Sequence, residues 1–225
     1  MITAQDVAAR IEHTLLKPEA TPENIDALCD EAIVHGFAGV CVNPVFVAWA
    51  ARRLAAYPAI RVITVVGFPL GANTTATKAF EARRALDDGA HEIDMVVHLG
   101  ALIVGDRKSV RADIESVAAA VHRATPPGAL KVILETATLD EERIILGCRC
   151  AVEGEADFVK TSTGFHPAGG ATVEHVRLLR RHVSPIQVKA AGGIRTWAQA
   201  VAMIEAGAAR LGTSASVAIL RECPA

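Results

Sequence analysis

Two lysines in neighbouring apolar segments are the residues of this sequence best suited to carry out chemistry. Lys160 closes a segment that begins at Phe158, and Lys189 lies in a segment that begins at Gln187. A third ionisable residue, Asp94, lies among apolar neighbours in an earlier segment. Because lysine and aspartate are rarely buried without a partner, we expect these three side chains to face one another in a site.

A pair of close lysines could supply an amine nucleophile. A lysine of ordinary pKa, about 10.4, is almost wholly protonated at neutral pH and cannot attack a carbonyl carbon. A second positive charge about 4 Å away opposes protonation by roughly 4 kcal/mol at an effective dielectric constant of 20. Partial desolvation acts in the same direction. The sequence therefore predicts Schiff-base chemistry in which one lysine activates the other.

Glycine-rich segments that follow the last two apolar segments suit phosphate binding. Gly192 and Gly193 come shortly after Lys189, and Gly212 precedes Thr213 and Ser214. In α/β barrels the loops after the seventh and eighth strands commonly bind phosphate through backbone N–H groups. Glycine lets the backbone approach such a ligand closely because it has no Cβ. We expect a phosphate cradle at this end of the molecule.

Several other classes of function find no support in the sequence. The eight histidines form neither a His-x-His pair nor a His-Glu-x-x-His helix, and the glycine-rich segments lack the P-loop lysine. We therefore expect no metal and no cofactor. The 23 Lys and Arg against 25 Asp and Glu, with no basic block, argue against a nucleic-acid partner.

The sequence also indicates a cellular setting. No signal peptide is visible, and no apolar run approaches the roughly 20 residues that cross a bilayer. We therefore expect a cytoplasmic protein with no membrane partner. The cysteines are scattered without paired spacing, which we interpret as free thiols in a reducing compartment. They are Cys29, Cys41, Cys148, Cys150 and Cys223.

A repeating strand–helix unit must position these residues. Short β-branched runs alternate with Ala-rich amphipathic stretches, a pattern typical of parallel strands with right-handed crossovers. Eight units in this length predict one (β/α)8 TIM barrel, a single domain over residues 1–225, with an open doubly wound sheet as the alternative. The predicted strands are His13–Leu16, Gly39–Val42, Arg61–Val66, Glu92–Val97, Lys131–Leu134, Phe158–Lys160, Gln187–Ala190 and Arg210–Gly212.

Local signals mark several helix ends. Thr21 precedes Pro22, as at a capped helix start, and the stretches that begin at Thr138 and Thr196 fit a capping box. Glycines expected to end helices in a left-handed conformation are Gly36, Gly89 and Gly207.

The fifth predicted strand carries a further lysine. Alternation along this strand places Lys131, Ile133 and Glu135 on one face. Lys131 is therefore the next candidate nucleophile after Lys160 and Lys189.

Taken together, these motifs resemble the deoxyribose-phosphate aldolases. The resemblance runs from residues 11–18 (IEHTLLKP) to residues 212–214, and it is most specific at 92–96 (EIDMV), 159–164 (VKTSTG) and 189–195 (KAAGGIR). It implies a metal-independent class I aldolase that reversibly cleaves 2-deoxy-D-ribose 5-phosphate to acetaldehyde and D-glyceraldehyde 3-phosphate. The partners would be a small phosphorylated sugar and acetaldehyde. Assembly into a homo-oligomer is left open.

The resemblance also assigns roles to residues. Lys160 would form the Schiff base, Lys189 would tune its proton affinity and transfer protons, and Asp94 would act with an ordered water as proton donor and acceptor. The residues that would hold the phosphate are Gly164, Gly192, Gly193, Gly212 and Ser214. The residues that would lie near the small-aldehyde pocket are Thr14, Leu16 and Cys41.

The chain departs from the family pattern at three places: the first bears on the supporting hydrogen-bond network of the first strand, and the other two bear on affinity and proton transfer more than on reaction type. Glu12 stands where many relatives carry aspartate, and Phe165 where some carry a lysine that could assist the phosphate. The chain ends Cys223-Pro224-Ala225 and lacks the terminal tyrosine of some relatives. Two alternatives stay open: another Schiff-base barrel aldolase, transaldolase-like or specific for a keto acid, and a non-catalytic phosphate-binding barrel.

Overall fold

The strands form a closed parallel barrel, as predicted. The computed structural model describes residues 2–224, so Met1 and Ala225, at the ends of the predicted domain, lie outside the described residues. Each strand pairs with the next along the chain, and the eighth pairs with the first. The strands are β1 (Ile11–Leu15), β2 (Gly39–Val42), β3 (Arg61–Val66), β4 (Glu92–Val96), β5 (Ala129–Ile133), β6 (Phe158–Lys160), β7 (Gln187–Ala191) and β8 (Arg210–Thr213).

Helices surround the barrel and follow every strand, with two of them after β4. Over residues 2–224, no helix combines the length and the hydropathy needed to cross a membrane. The helices are α1 (Ala4–Ala8), α2 (Pro22–His35), α3 (Val47–Arg53), α4 (Thr75–Asp87), α5 (Leu99–Val104), α6 (Arg107–His122), α7 (Glu141–Glu153), α8 (Val173–His182), α9 (Trp197–Glu205) and α10 (Ser216–Arg221). Short 3-10 turns lie at Pro44–Phe46 and Thr136–Thr138.

Five of the predicted strands differ from the observed ones by one or two residues at one or both ends. β1 begins at Ile11, two residues early, because Ile11 pairs with Leu211 of β8 across the seam that closes the barrel. That partner is distant in sequence and leaves no local signal. β1 also ends one residue early, at Leu15. The differences in the other four strands are an earlier end of β4, a shift of β5 toward its N-terminus, and one extra residue at the end of β7 and of β8.

Most predicted helix ends are confirmed. Thr21 caps α2 by accepting the Asn24 N–H, and α2 ends at Gly36 with a φ of 65°. Thr196 forms a capping box with Gln199 at the start of α9. Gly89 and Gly207 follow α4 and α9 with φ angles of 104° and 110°.

The capping box predicted at Thr138 is wrong. Helix α7 begins two residues later, and its cap is Asp140, whose carboxylate accepts the Arg143 N–H at 2.8 Å. Thr138 instead ends a 3-10 turn, and its hydroxyl donates to the Glu135 carbonyl oxygen at 2.8 Å. The backbone turn after β5 thus occupies the hydroxyl that the pattern had assigned to the helix.

The hydrophobic core lies between the barrel wall and the helices. Outward-facing strand residues such as Val40, Ile93 and Val132 are fully buried there. A smaller apolar cluster of Leu16, Cys41, Ile63 and Val65 fills one side of the barrel interior. Because these residues come from β2, β3 and the turn after β1, the rest of the interior is left for polar side chains of β1 and of β4 to β7.

A buried ion pair joins α4 and α6 to the strand that carries Asp94. Lys78 Nζ lies 2.6 Å from Asp113 Oδ2 and donates to the Val96 carbonyl oxygen at 2.9 Å. The Thr75 hydroxyl donates to the other Asp113 oxygen at 2.9 Å. Both charged side chains are buried, so each depends on the other for compensation.

We predict that Asp113→Ala lowers the free energy of unfolding by about 3 to 5 kcal/mol, because it leaves the Lys78 ammonium buried without its counter-ion. The matched control is Asp88→Ala, which removes a partly exposed ion pair with Arg84 and should change this free energy by about 0 to 1 kcal/mol. Denaturant unfolding of the three proteins measures the difference. Similar losses in both variants would contradict the prediction.

Candidate active site

Six charged side chains gather inside the barrel, all of them buried. Three are ammonium groups and three are carboxylates, so their formal charges cancel. Each carboxylate lies against a lysine, and within residues 2–224 no three His, Cys, Asp or Glu side chains are placed to hold a metal ion. The six residues, called here the charge cluster, are Glu12, Glu92, Asp94, Lys131, Lys160 and Lys189.

Asp94 lies at the centre of the charge cluster and contacts all three lysines. Its Oδ2 accepts hydrogen bonds from Lys160 Nζ at 2.8 Å and from Lys189 Nζ at 2.6 Å. Its Oδ1 accepts from Lys131 Nζ at 3.0 Å. The three residues that sequence reasoning grouped, Asp94, Lys160 and Lys189, are therefore together in the structure. The sequence predicted that the two lysines repel each other. The structure adds the Asp94 carboxylate, which lies between them and attracts both.

Lys131 and two glutamates are members of the charge cluster that sequence reasoning did not place there. Lys131 Nζ lies 2.6 Å from Glu92 Oε2 and 3.5 Å from Glu12 Oε1. Glu12 also accepts a hydrogen bond from Lys189. The register of β4 and β5 pairs Lys131 directly with Asp94. Alternation along β5 was the available signal for Lys131.

The charges hold one another ionised. Burial alone would raise the pKa of Asp94, but the three ammonium groups outweigh it and hold this pKa well below its usual range. Burial would likewise lower the pKa of Lys189, but Asp94 and Glu12 outweigh it and raise this pKa above its ordinary value. The pKa of Lys131 is raised in the same way, chiefly by Asp94. At neutral pH, Asp94 is thus a carboxylate, and Lys131 and Lys189 are ammonium ions.

A cavity of about 350 Å³ opens at the carboxyl ends of β6, β7, β8 and β1. Lys160 lines this cavity, whereas Lys131 and Lys189 lie behind its wall and are fully buried. Of the three lysines in the charge cluster, Lys160 is thus the one that a ligand in the cavity can touch.

The five residues predicted to bind phosphate line the same cavity: Gly164, Gly192, Gly193, Gly212 and Ser214. The N–H groups of Gly164, Gly193 and Ser214 make no hydrogen bond within residues 2–224. Gly164 and Gly193 have φ angles of 82° and 79°, which favour glycine. Free N–H groups on three neighbouring loops form a cradle suited to an anion.

Gly212 has a second task, because a larger residue would disturb the charge cluster. A Cβ at this position would lie 3.2 Å from Lys189 Cε and 3.0 Å from Ala191 Cβ. Gly212 therefore leaves the room in which the Lys189 side chain reaches Asp94.

Among the other residues that line the cavity, which sequence reasoning did not assign to a site, are Lys17, Thr163, Phe165 and Arg195. Lys17 and Arg195 are exposed and bring positive charge to the rim. Phe165 packs edge-on against Phe68, with ring centroids 5.1 Å apart. At position 165, where some relatives carry a lysine, this chain thus has an aromatic contact across the barrel mouth. The positive charge at the rim comes instead from Lys17 and Arg195, in the loops after β1 and β7.

The three residues predicted for the small-aldehyde pocket do not all reach the cavity. Thr14 and Leu16 line it. Cys41 is fully buried against Leu16 and is not part of the cavity wall. Burial raises the pKa of the Cys41 thiol to about 11, so the group is protonated at neutral pH. Cys41 supports the pocket from behind.

Comparisons with known proteins agree with this geometry. Residues 4–222 match the model of a family described as DeoC/LacD family aldolase. Deoxyribose-phosphate aldolases from Thermococcus gammatolerans and Carboxydothermus hydrogenoformans are 55% and 51% identical to this chain. The alignments cover 97% of this chain and 97% of the first relative, and 98% of this chain and 96% of the second. The tetrameric deoxyribose phosphate aldolase from Aeropyrum pernix is 34% identical, with a TM-score of 0.89 over 98% of this chain and 92% of that chain.

We predict that Asp94→Asn lowers the free energy of unfolding by about 3 kcal/mol at neutral pH, because three ammonium groups then share one carboxylate fewer. The folded-state pKa of Asp94 is depressed. Its contribution is therefore present above the unfolded-state value, about 3.9, and is lost as the pH falls below it. The difference between wild type and variant, from denaturant unfolding, should hold from about pH 7 to about pH 4 and shrink as the pH falls below about 3.9. A difference that does not shrink below that pH would show that Asp94 does not stabilise the fold through its charge.

Proposed function

This chain belongs to the DeoC/LacD aldolase family, and on that premise we propose that it acts as a deoxyribose-phosphate aldolase. It reversibly cleaves 2-deoxy-D-ribose 5-phosphate to acetaldehyde and D-glyceraldehyde 3-phosphate. The reaction needs no metal, because a Schiff base on Lys160 takes the electrons of the broken carbon–carbon bond.

One observation carries this proposal: Lys160, in contact with Asp94, faces a cavity whose other wall is a cradle of glycine N–H groups. An amine at one end and an anion site at the other match a substrate with an aldehyde carbon and a phosphate at opposite ends. The amine alone or the anion site alone would not distinguish an aldolase from a non-catalytic phosphate-binding barrel.

Lys160 is the proposed nucleophile. Its neutral amine attacks the aldehyde carbon of the open-chain sugar, and loss of water gives a protonated imine. The C3 hydroxyl then loses its proton, the C2–C3 bond breaks, and its electrons move into an enamine while D-glyceraldehyde 3-phosphate leaves. A proton added at C2 and hydrolysis of the imine release acetaldehyde and restore Lys160.

Asp94 and Lys189 are the proposed proton-transfer groups. The low pKa of Asp94 keeps it a carboxylate that can accept a proton, with an ordered water as the relay. The raised pKa of Lys189 keeps it an ammonium ion that can donate one. Lys189 also repels a positive charge on Lys160, and their shared contact with Asp94 offsets this repulsion.

The phosphate is proposed to bind to Gly164, Gly192, Gly193, Gly212 and Ser214, with Thr14 and Leu16 beside the small aldehyde. The free N–H groups of the cradle support this assignment. The exposed cations Lys17 and Arg195 at the rim add electrostatic attraction for a dianion.

The proposed partners are small molecules, a phosphorylated deoxy sugar and acetaldehyde, with no nucleic acid and no membrane. A cytoplasmic location is proposed on the support of five free thiols, four of them buried. The relative from Aeropyrum pernix is tetrameric, and we carry a homo-oligomer over to this chain as a proposal.

We predict that acetaldehyde with borohydride adds one ethyl group to the wild-type protein at Lys160, and that Lys160→Ala loses both this adduct and turnover. Only an amine can form the imine that borohydride reduces. Mass spectrometry of the intact protein and its peptides is the measurement. Lys108→Ala, which changes an exposed lysine on α6, is the control and should retain the adduct and the activity.

Three outcomes would contradict this assignment. Stoichiometric labelling of Lys160→Ala would move the nucleophile to Lys189 or Lys131. Labelling of the wild type by pyruvate and not by acetaldehyde would favour a keto-acid aldolase, and no label with either would favour a non-catalytic barrel.

A further inference from the structure

Glu135 follows β5 in an unusual conformation. Its φ of 58° and ψ of 56° lie in the left-handed region, which costs a non-glycine residue about 1 to 3 kcal/mol. The side chain is only 2% exposed. Within residues 2–224 no cation lies within ion-pair distance of its carboxylate. A strained backbone and an unpaired buried carboxylate persist only where the surroundings require them.

The carboxylate of Glu135 binds the loop that follows the proposed nucleophile. Its two oxygens accept the Thr163 N–H at 3.2 and 3.3 Å, and one also accepts the Thr163 hydroxyl. The same hydroxyl oxygen accepts the Phe165 N–H at 3.1 Å. A connected set of hydrogen bonds thus runs from Glu135 through Thr163 to Phe165.

This set of bonds leaves one N–H group free. Of the three consecutive amides from Thr163 to Phe165, the first and third are engaged, and the Gly164 N–H between them makes no hydrogen bond within residues 2–224. Gly164 lines the cavity, whereas Glu135 does not.

We propose that Glu135 is a positioning residue that sets the specificity for phosphorylated substrates. It holds the Thr163 amide directly and the Phe165 amide through the Thr163 hydroxyl, and so points the Gly164 N–H at the phosphate without touching the substrate. This inference rests on the proposed function and adds a specificity determinant outside the cavity.

A carboxylate suits this task better than the isosteric amide. Thr163 presents only donors, its N–H and its O–H, to the two oxygens of Glu135, and hydrogen bonds to a charged acceptor are about twice as strong as neutral ones. In Glu135→Gln, one acceptor oxygen becomes an NH2 group that faces these donors. The side chain keeps its size, so the variant weakens the anchor and leaves no cavity.

The test compares Glu135→Gln with wild type on 2-deoxyribose 5-phosphate and on unphosphorylated 2-deoxyribose. Loss of one charge-assisted hydrogen bond should raise KM for the phosphorylated substrate, and the inhibition constant of inorganic phosphate, by about tenfold. The kcat/KM for 2-deoxyribose should change by no more than about twofold, which corresponds to about 0.4 kcal/mol. Glu141→Gln, at an exposed glutamate of α7, is the matched control and should resemble wild type.

Two variants of Thr163 test the same anchor if Glu135→Gln does not fold. Thr163→Val removes the hydroxyl that joins Glu135 to Phe165, and it should show the same selective loss for phosphorylated substrate. Thr163→Ser retains the hydroxyl and should restore wild-type selectivity.

Equal losses on both substrates, or no loss on either, would overturn the inference, because a merely structural role would not distinguish them. The acetaldehyde–borohydride adduct separates this failure from that of the proposed function. A wild type that forms no adduct and is not inhibited by inorganic phosphate would overturn the proposed function and this inference with it. A wild type that passes both tests, with an unselective Glu135→Gln, overturns the role of Glu135 alone.

Discussion

The contact of three lysines with one buried aspartate is the interaction on which the rest of this structure depends. Two ammonium groups that contact the same Asp94 oxygen, at 2.8 and 2.6 Å, are at most 5.4 Å apart. At that separation their repulsion is about 3 kcal/mol at an effective dielectric constant of 20. Asp94, Glu12 and Glu92 offset this repulsion, so the barrel can hold a reactive amine next to a permanent cation.

The barrel supplies what this balance needs. Its closure brings Glu12 of β1 next to Lys189 of β7, which are 177 residues apart in sequence. Apolar side chains fill the interior near β2 and β3, and Gly212 leaves room for the Lys189 side chain. As a result Lys160 alone among the three lysines lines the cavity, while the other two act from behind it.

The sequence allowed the barrel and the central residues of the site to be predicted, because both leave local signals. Alternating strands and helices predict the barrel, and ionisable residues in apolar strands are rare enough to mark Lys160, Lys189 and Asp94. The parts that failed have two causes, one long-range and one local. The role of Glu12 follows from barrel closure, and the helix start at Thr138 was wrong because the turn at Glu135 uses the Thr138 hydroxyl.

In the phosphate cradle, too, some residues were predictable from the sequence and others were not. Its glycines were recognisable from their place after β7 and β8, whereas the support behind them was not. Glu135 was placed on the same face as Lys131, but its contact with Thr163 depends on how two loops meet. Residues that touch a ligand thus tend to have recognisable motifs, and residues that position them are found from the structure.

The pH dependence of acetaldehyde–borohydride trapping in Lys189→Leu and Asp94→Asn tests the charge balance most directly. Loss of the Lys189 cation makes the charge around Lys160 more negative, so trapping should move to higher pH by about 2 units. Loss of the Asp94 carboxylate leaves Lys160 facing two ammonium groups and two carboxylates, with no net negative charge, so trapping should move to lower pH. Lys189→Arg keeps the charge and should leave the profile in place. Shifts in the same direction, or no shift in either variant, would contradict the account and would leave desolvation as the cause of Lys160 reactivity.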